Sequence, residues 1–267
     1  MLLKLNVGQV ALHDLAVKTA EVDAYEQRWS ETLQRVSAYL SDSSSVLEPD
    51  ALQPLSTLPA VDVYLSHAVG NPARVVQLAV ALEATGLSVF VGSSLWQRAE
   101  ALSRDMQRPS GEHADLLDTP YARQGRTTRA STSICTVVAA VQQRLIESCE
   151  LFIHLEHAPV RLADVVHNSR CGGSTWALSE RLYARHATRR GRPPLRLEAM
   201  KDQGEAASRP LLAAQGAHVM EWERLLRAIV DTTGFPSPPG WRDNPVFLDH
   251  LYGKLPLSAP ERTLLGW

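Results

Sequence analysis

A carboxylate and an indole stand four residues apart in Ser174-Thr-Trp-Ala-Leu-Ser-Glu180, just after a glycine-rich run, Cys171-Gly172-Gly173. On a helix that spacing puts Trp176 and Glu180 on one face, one turn apart. Ser174 or Thr175 is placed to cap such a helix, because a hydroxyl there accepts a hydrogen bond from a backbone N–H that the first turn leaves free. The carboxylate therefore sits in the second turn, with an indole beside it. The structural alternative is a packing tryptophan beside a solvated glutamate.

The other candidate chemistries are thinner. His154-Leu-Glu156 has the H-x-E of zinc deaminases, but no P-C-x-x-C follows to complete a ligand set, so no metal is expected. Cys135, Cys149 and Cys171 lie far apart without a CxxC pair, which suggests neither a zinc site nor a disulfide framework and fits a reducing cytoplasm. A net charge of -2 gives no global reason to expect nucleic acid or an anionic membrane as partner. The first residues, MLLKLNVGQVALHD, lack the charged and apolar regions of a secretion signal, and no stretch reaches the roughly 18 apolar residues of a membrane span. The expectation is a cytoplasmic protein that neither crosses nor enters a membrane.

These residues need a scaffold, and the chain's periodicities supply one. Apolar residues from Leu12 to Leu40, among them Tyr25, Trp29 and Leu33, recur at steps of three and four and predict a long helix, followed by the proline-punctuated segment Pro49 to Pro59. One helix cannot bury its own stripe, so docking on the following domain is expected, with a second subunit as the alternative. Val61 to Leu65 reads as a buried strand ending in Ser66-His67, then a helix from Pro72 closed by Gly86, then a strand from Leu87 to Val91. This is a right-handed βαβ unit.

From Ser93 to Ala130 the pattern is lost. Leu95 to Met106 offers a partial helix, and the whole reads as a long insertion. A helix from Ser131 to Ser148, a strand from Leu151 to Leu155, the Trp176–Glu180 helix, a weak strand at Pro194 to Leu197, a short strand around Ala217 to Met220 and a final helix complete the pattern. The expected fold is α/β, a flavodoxin-like five-stranded parallel sheet flanked by helices. Residues 1–60 form an N-terminal helical extension and linker, 61–233 the main domain with its insertion at about 93–130, and 234–267 a C-terminal extension packed upon it. Such sheets bind ligands beyond the carboxyl ends of their strands. Ser66 and His67, Gly92 to Trp96, and Glu180 should therefore converge there. No G-x-G-x-x-G follows the first strand, so a dinucleotide cofactor held in the Rossmann manner is not indicated.

VYLSHA followed by a helix closing in ALEATGLSVFV, together with Ser174, Trp176 and Glu180 after the third of these strands, resembles Toll/interleukin-1 receptor (TIR) domains, whose corresponding helix carries an S.W...E signature. RPLLAAQGAHVMEWERLLRAIV is similar to the family's last strand and helix, so the resemblance spans roughly Val61 to Asp231. It implies an enzyme that cleaves or rearranges NAD+ at the nicotinamide–ribose bond, with NAD+ as substrate and no further cofactor. Glu180 would be catalytic, and Ser66, His67, Trp96 and Trp176 would bind or wall the nucleotide. Each has a structural rival: a turn cap for Ser66, a satisfied rim histidine for His67, packing for the two tryptophans. The implied setting is bacterial antiphage defence, with self-association through TIR domains and an activating operon partner reached through the N-terminal helix. Two other classes compete. One is a non-catalytic TIR interaction module; the other is an N-glycosidase like the nucleoside deoxyribosyltransferases.

Overall fold

A computed structural model of the chain describes residues 3–8, 15, 17–41, 58–67, 72–106, 120–156, 172–187, 217–233, 245–265 and 267. Its framework is a sheet of five parallel strands: β1 (Leu3–Gly8), β2 (Val63–His67), β3 (Val89–Val91), β4 (Leu151–Leu155) and β5 (His218–Glu221), in the spatial order β3-β2-β4-β1-β5. Every residue of β2, β3 and β4 is buried, as parallel strands covered on both faces require, and their sequences are accordingly near-continuous apolar runs. The expected flavodoxin-like α/β sheet is present.

One of its five strands is not an expected one. Leu3–Gly8 lies between β4 and β5, with Leu5 opposite both Ile153 and His218. The N-terminal segment thus fills an inner position of the sheet, whereas sequence reading places no strand there. Its composition explains the difference. Leu3, Leu5 and Val7 alternate with Lys4 and Asn6, a pattern that marks a half-exposed strand, yet Lys4 is also buried. The strand expected at 194–197 lies outside the described residues.

The helix expected from Leu12 to Leu40 runs as α1 (Thr19–Ser41) and docks on its own domain. Tyr25, Trp29 and Leu33 share one face and are all buried. Tyr25 donates its hydroxyl to the Val89 carbonyl at 3.2 Å, the Trp29 ring meets Phe90 edge-on at 4.8 Å, and Arg28 grips both Glu83 oxygens at 2.6 and 2.7 Å. Glu83 ends α2 (Pro72–Glu83), whose chain turns back through Gly86 at φ 89°, a conformation that glycine adopts without Cβ strain.

The stretch read as an irregular insertion is largely helical: α3 (Gly92–Met106) starts directly from β3, and α4 (Pro120–Ser148) begins well before the expected Ser131. On α3 Leu95, Trp96 and Ala99 are buried, while Gln97, Arg98 and Glu100 are exposed. Pro120 opens α4, a first-turn position where its missing N–H costs nothing. α5 (Gly172–His186) also starts early, so Ser174 and Thr175 lie inside its first turn and not at its cap. Among the described residues three further helices, α6 (Trp222–Thr232), α7 (Pro245–Gly253) and α8 (Ala259–Leu265), follow β5, and α7 packs on α6 with Phe247, Leu248, Leu251 and Tyr252 fully buried.

Because α1 shares the core, truncating its anchor should destabilise the whole domain. Trp29→Ala is expected to lower the unfolding free energy by about 3–5 kcal/mol in urea denaturation. A change under about 1 kcal/mol would mean that α1 is an appendage.

Candidate active site

α3, α4 and α5 pack against one another, and α3 and α5 also meet β2. Glu180 sits halfway along α5, and its side chain is 0% exposed. Oε1 accepts a 2.5 Å hydrogen bond from the Tyr64 hydroxyl on β2 and a 3.2 Å bond from the Gln142 side-chain amide on α4. The approach is possible because Gly92, the first residue of α3, has no side chain: a Cβ there would collide with Glu180 Oε1 and come within 2.6 Å of the Tyr64 hydroxyl.

Ser66 and Trp96 also turn donors toward the carboxyl, which favours its charged form. Neither closes a well-formed bond to Oε2, however. That oxygen and the Trp96 indole nitrogen are both buried and lack hydrogen-bond partners. The Ser66 hydroxyl lies 3.1 Å from His154 Nδ1 on β4, its neighbour across the strand pair. When His154 carries its proton on Nδ1 it donates to Ser66 and frees the serine proton for the carboxyl.

Burial outweighs the donors in setting charge. Desolvation pushes Glu180 up to about 8, against the opposing pull of Ser66, Tyr64, Gln142 and Trp96. At neutral pH the group is mainly a carboxylic acid. Burial, then the nearby Glu180 charge, pushes Tyr64 well above its ordinary range, so it remains a donor. His154 is pulled down to about 4 by burial, with Arg181 and His67 adding repulsion, so it is neutral at physiological pH.

Of the five residues expected to form the site, Ser66, Trp96 and Glu180 come together, and His67 joins them through its ring, 6.0 Å from that of Trp96. Ser66 and His67 are the last two residues of β2, both buried. Trp176, one turn before Glu180, is half-buried against the core and takes no part in the His67–Trp96 contact. Sequence reading missed Tyr64 and Gln142. Both left a trace: a phenol inside a wholly buried strand needs a partner for its hydroxyl, and Gln142 falls on the inner face of α4, four residues after Val138 and three before Leu145. His154, noticed as part of a possible metal motif, instead partners Ser66. Among the described residues no cluster of histidine, cysteine and carboxylate side chains has the makings of a metal site, and no helix is long and apolar enough to cross a membrane.

Compared with protein-family profiles, curated proteins and solved structures, the chain finds no match.

The charge state of Glu180 makes stability depend on pH. The folded form binds the proton more tightly than the unfolded form, whose carboxyl titrates near 4.5, so stability should fall as pH rises from 4.5 through 8. The neutral isostere Glu180→Gln should flatten that part of the profile in thermal unfolding. A wild-type curve parallel to that of the variant across this window would contradict the buried acid. Gly92→Ala should displace the carboxyl and cost about 1–3 kcal/mol, measurable by denaturant titration; no loss would show that the close approach does not persist.

Proposed function

We propose that this chain is a TIR-type enzyme that cleaves NAD+ at the nicotinamide–ribose bond, as a hydrolase or cyclase, with Glu180 as the catalytic carboxylate. What carries the reading is an asymmetry at Glu180: one oxygen is fixed by Tyr64 and Gln142, while the other, with the Trp96 N–H, is buried and unsatisfied beside the end of β2. Unpartnered buried polar atoms are costly, and ligand sites are where structures retain them. An acceptor next to a donor suits a sugar hydroxyl, which both gives and takes a hydrogen bond.

In this reaction the C–N bond breaks with its electron pair going to nicotinamide, which leaves neutral, and the positive charge passes to the ribose. Water, or a nitrogen of the same substrate in the cyclising variant, then bonds to that carbon, and a proton is released on hydrolysis. A carboxyl that burial holds neutral at rest ionises more readily when a cationic substrate approaches, because the added positive charge offsets desolvation. Its charge then grows in value as the ribosyl cation forms. Glu180 therefore supplies most stabilisation at the transition state, as a catalyst must.

Bacterial defence, a cytoplasmic setting, self-association and an activating partner belong to the same reading. The Tyr25–Trp29–Leu33 face of α1 is already occupied by its own domain, so a partner would engage other surfaces of that helix.

A second reading has an observation in its favour. Complete burial of Glu180, with bonds to two other elements, is what a purely structural tie would show, and it fits a TIR-like interaction module without catalysis. One assay separates the two. Concentrated wild-type protein should release nicotinamide from NAD+, and Glu180→Gln should slow release by about a hundredfold or more while remaining folded. Equal rates in both proteins would remove Glu180 from the chemistry.

A further inference from the structure

We propose that Tyr64 and Gln142 are positioning residues for the Glu180 carboxyl: reaching it from β2 and α4, they fix Oε1 and leave Oε2 as the oxygen that meets a ligand. This inference rests on the reading of Glu180 given above and deepens it.

Tyr64 is built not to move. Its ring stacks on Phe152 at 5.7 Å and 15°, lies against Phe90 at 5.6 Å, and is fully buried between them. A phenylalanine would fill the same space. The hydroxyl is therefore not needed for packing; it bonds Glu180 at 2.5 Å, with the Gln142 side chain also beside it. That length is at the short end of hydroxyl-to-oxygen hydrogen bonds. Gln142, also 0% exposed, approaches the same oxygen from a different element. Two donors anchored on separate elements restrict both the place and the plane of the carboxyl, whereas one donor leaves it free to swing about the bond.

Four donors are turned toward the carboxyl, but they are not equally placed. The two bonds within 3.2 Å both converge on Oε1, while Oε2 and the Trp96 N–H are buried and close no bond of their own. Positioning of this kind matters most where charge changes during a reaction, because a fixed group needs no rearrangement when the transition state forms. Tyr64 on β2 is the titrating group against the carboxyl, with Cys149 near the phenol; His154 on β4, with Arg181 and His67 around it, lies one step further off, beside Ser66. Of these, only Tyr64 bonds the carboxyl directly.

Tyr64→Phe is the test, since it removes one oxygen and keeps the stack. Wild type, Tyr64→Phe and Glu180→Gln, each shown folded by circular dichroism, would be assayed with NAD+ from about pH 6 to pH 9. Positioning predicts that Tyr64→Phe lowers kcat by about ten- to a hundredfold, leaves KM within about twofold, and moves the acidic limb of the rate profile to higher pH, because a donor to the ionised form is lost. A Tyr64→Phe enzyme with wild-type kcat and pH profile, alongside an inactive Glu180→Gln, would overturn the positioning role and leave the Glu180 reading intact. Equal activity in wild type and Glu180→Gln would instead sink the Glu180 reading. A second arm needs no turnover: titration of the Glu180 carboxyl by carbon NMR with labelled glutamate. An upward shift in Tyr64→Phe supports fixation by the hydroxyl, and an unchanged titration overturns it even if the protein is silent toward NAD+.

Discussion

The Glu180 carboxyl, buried where α5 meets β2, α3 and α4, is the constraint around which the local structure is arranged. A charge so placed is costly to desolvate, and burial holds the group largely neutral despite four donors turned toward it. The surroundings show the accommodation. Gly92 gives up its side chain, Tyr64 brings a hydroxyl into an otherwise apolar strand, and Gln142 brings an amide onto the inner face of α4. Each would be a poor choice for a core built only for packing. Together they place one polar group with two anchored bonds.

The sheet explains why that group can be held so firmly. β2 and β4 pair in register, setting Ser66 beside His154 and His67 beside Leu155 at the carboxyl ends of adjacent strands. The start of α3 follows β3 without a connecting loop, which brings Gly92 and Trp96 over the same rim. α1 braces this side of the molecule through Trp29 against Phe90 and Arg28 against Glu83. Burial pushes Glu83 upward while the Arg28 guanidinium pulls it back down, so the ion pair works against its own desolvation.

Much of this was legible in the residues, for physical reasons that also explain the misses. Continuous apolar runs marked β2, β3 and β4 because a parallel strand covered on both faces has little room for polar side chains. The four-residue step from Trp176 to Glu180 marked α5, and the rim residues Ser66, His67 and Trp96 followed from where ligands sit on such sheets. β1 was hidden because Lys4 and Asn6 break its apolar run, which is not what a strand at an inner position of a parallel sheet ordinarily shows, although Lys4 is buried. α3 was read in part, from Leu95 to Met106, and the first part of α4 was hidden by a proline that opens a helix as readily as it ends one. Tyr64 and Gln142 were missed because a tyrosine inside an apolar strand and a glutamine on a helix face read as packing, and their role becomes visible only once the carboxyl they serve is placed.

The central claim is that Glu180 presents Oε2 to a ribose while Tyr64 and Gln142 keep Oε1. A crystal structure of the wild-type protein with an NAD+ analogue whose nicotinamide is joined to the ribose through carbon would test it most directly. The account expects a ribose hydroxyl within hydrogen-bond distance of Oε2 and both bonds to Oε1 retained. An analogue seated away from α5, or a Glu180 still fully covered by protein with saturating analogue present, would contradict it.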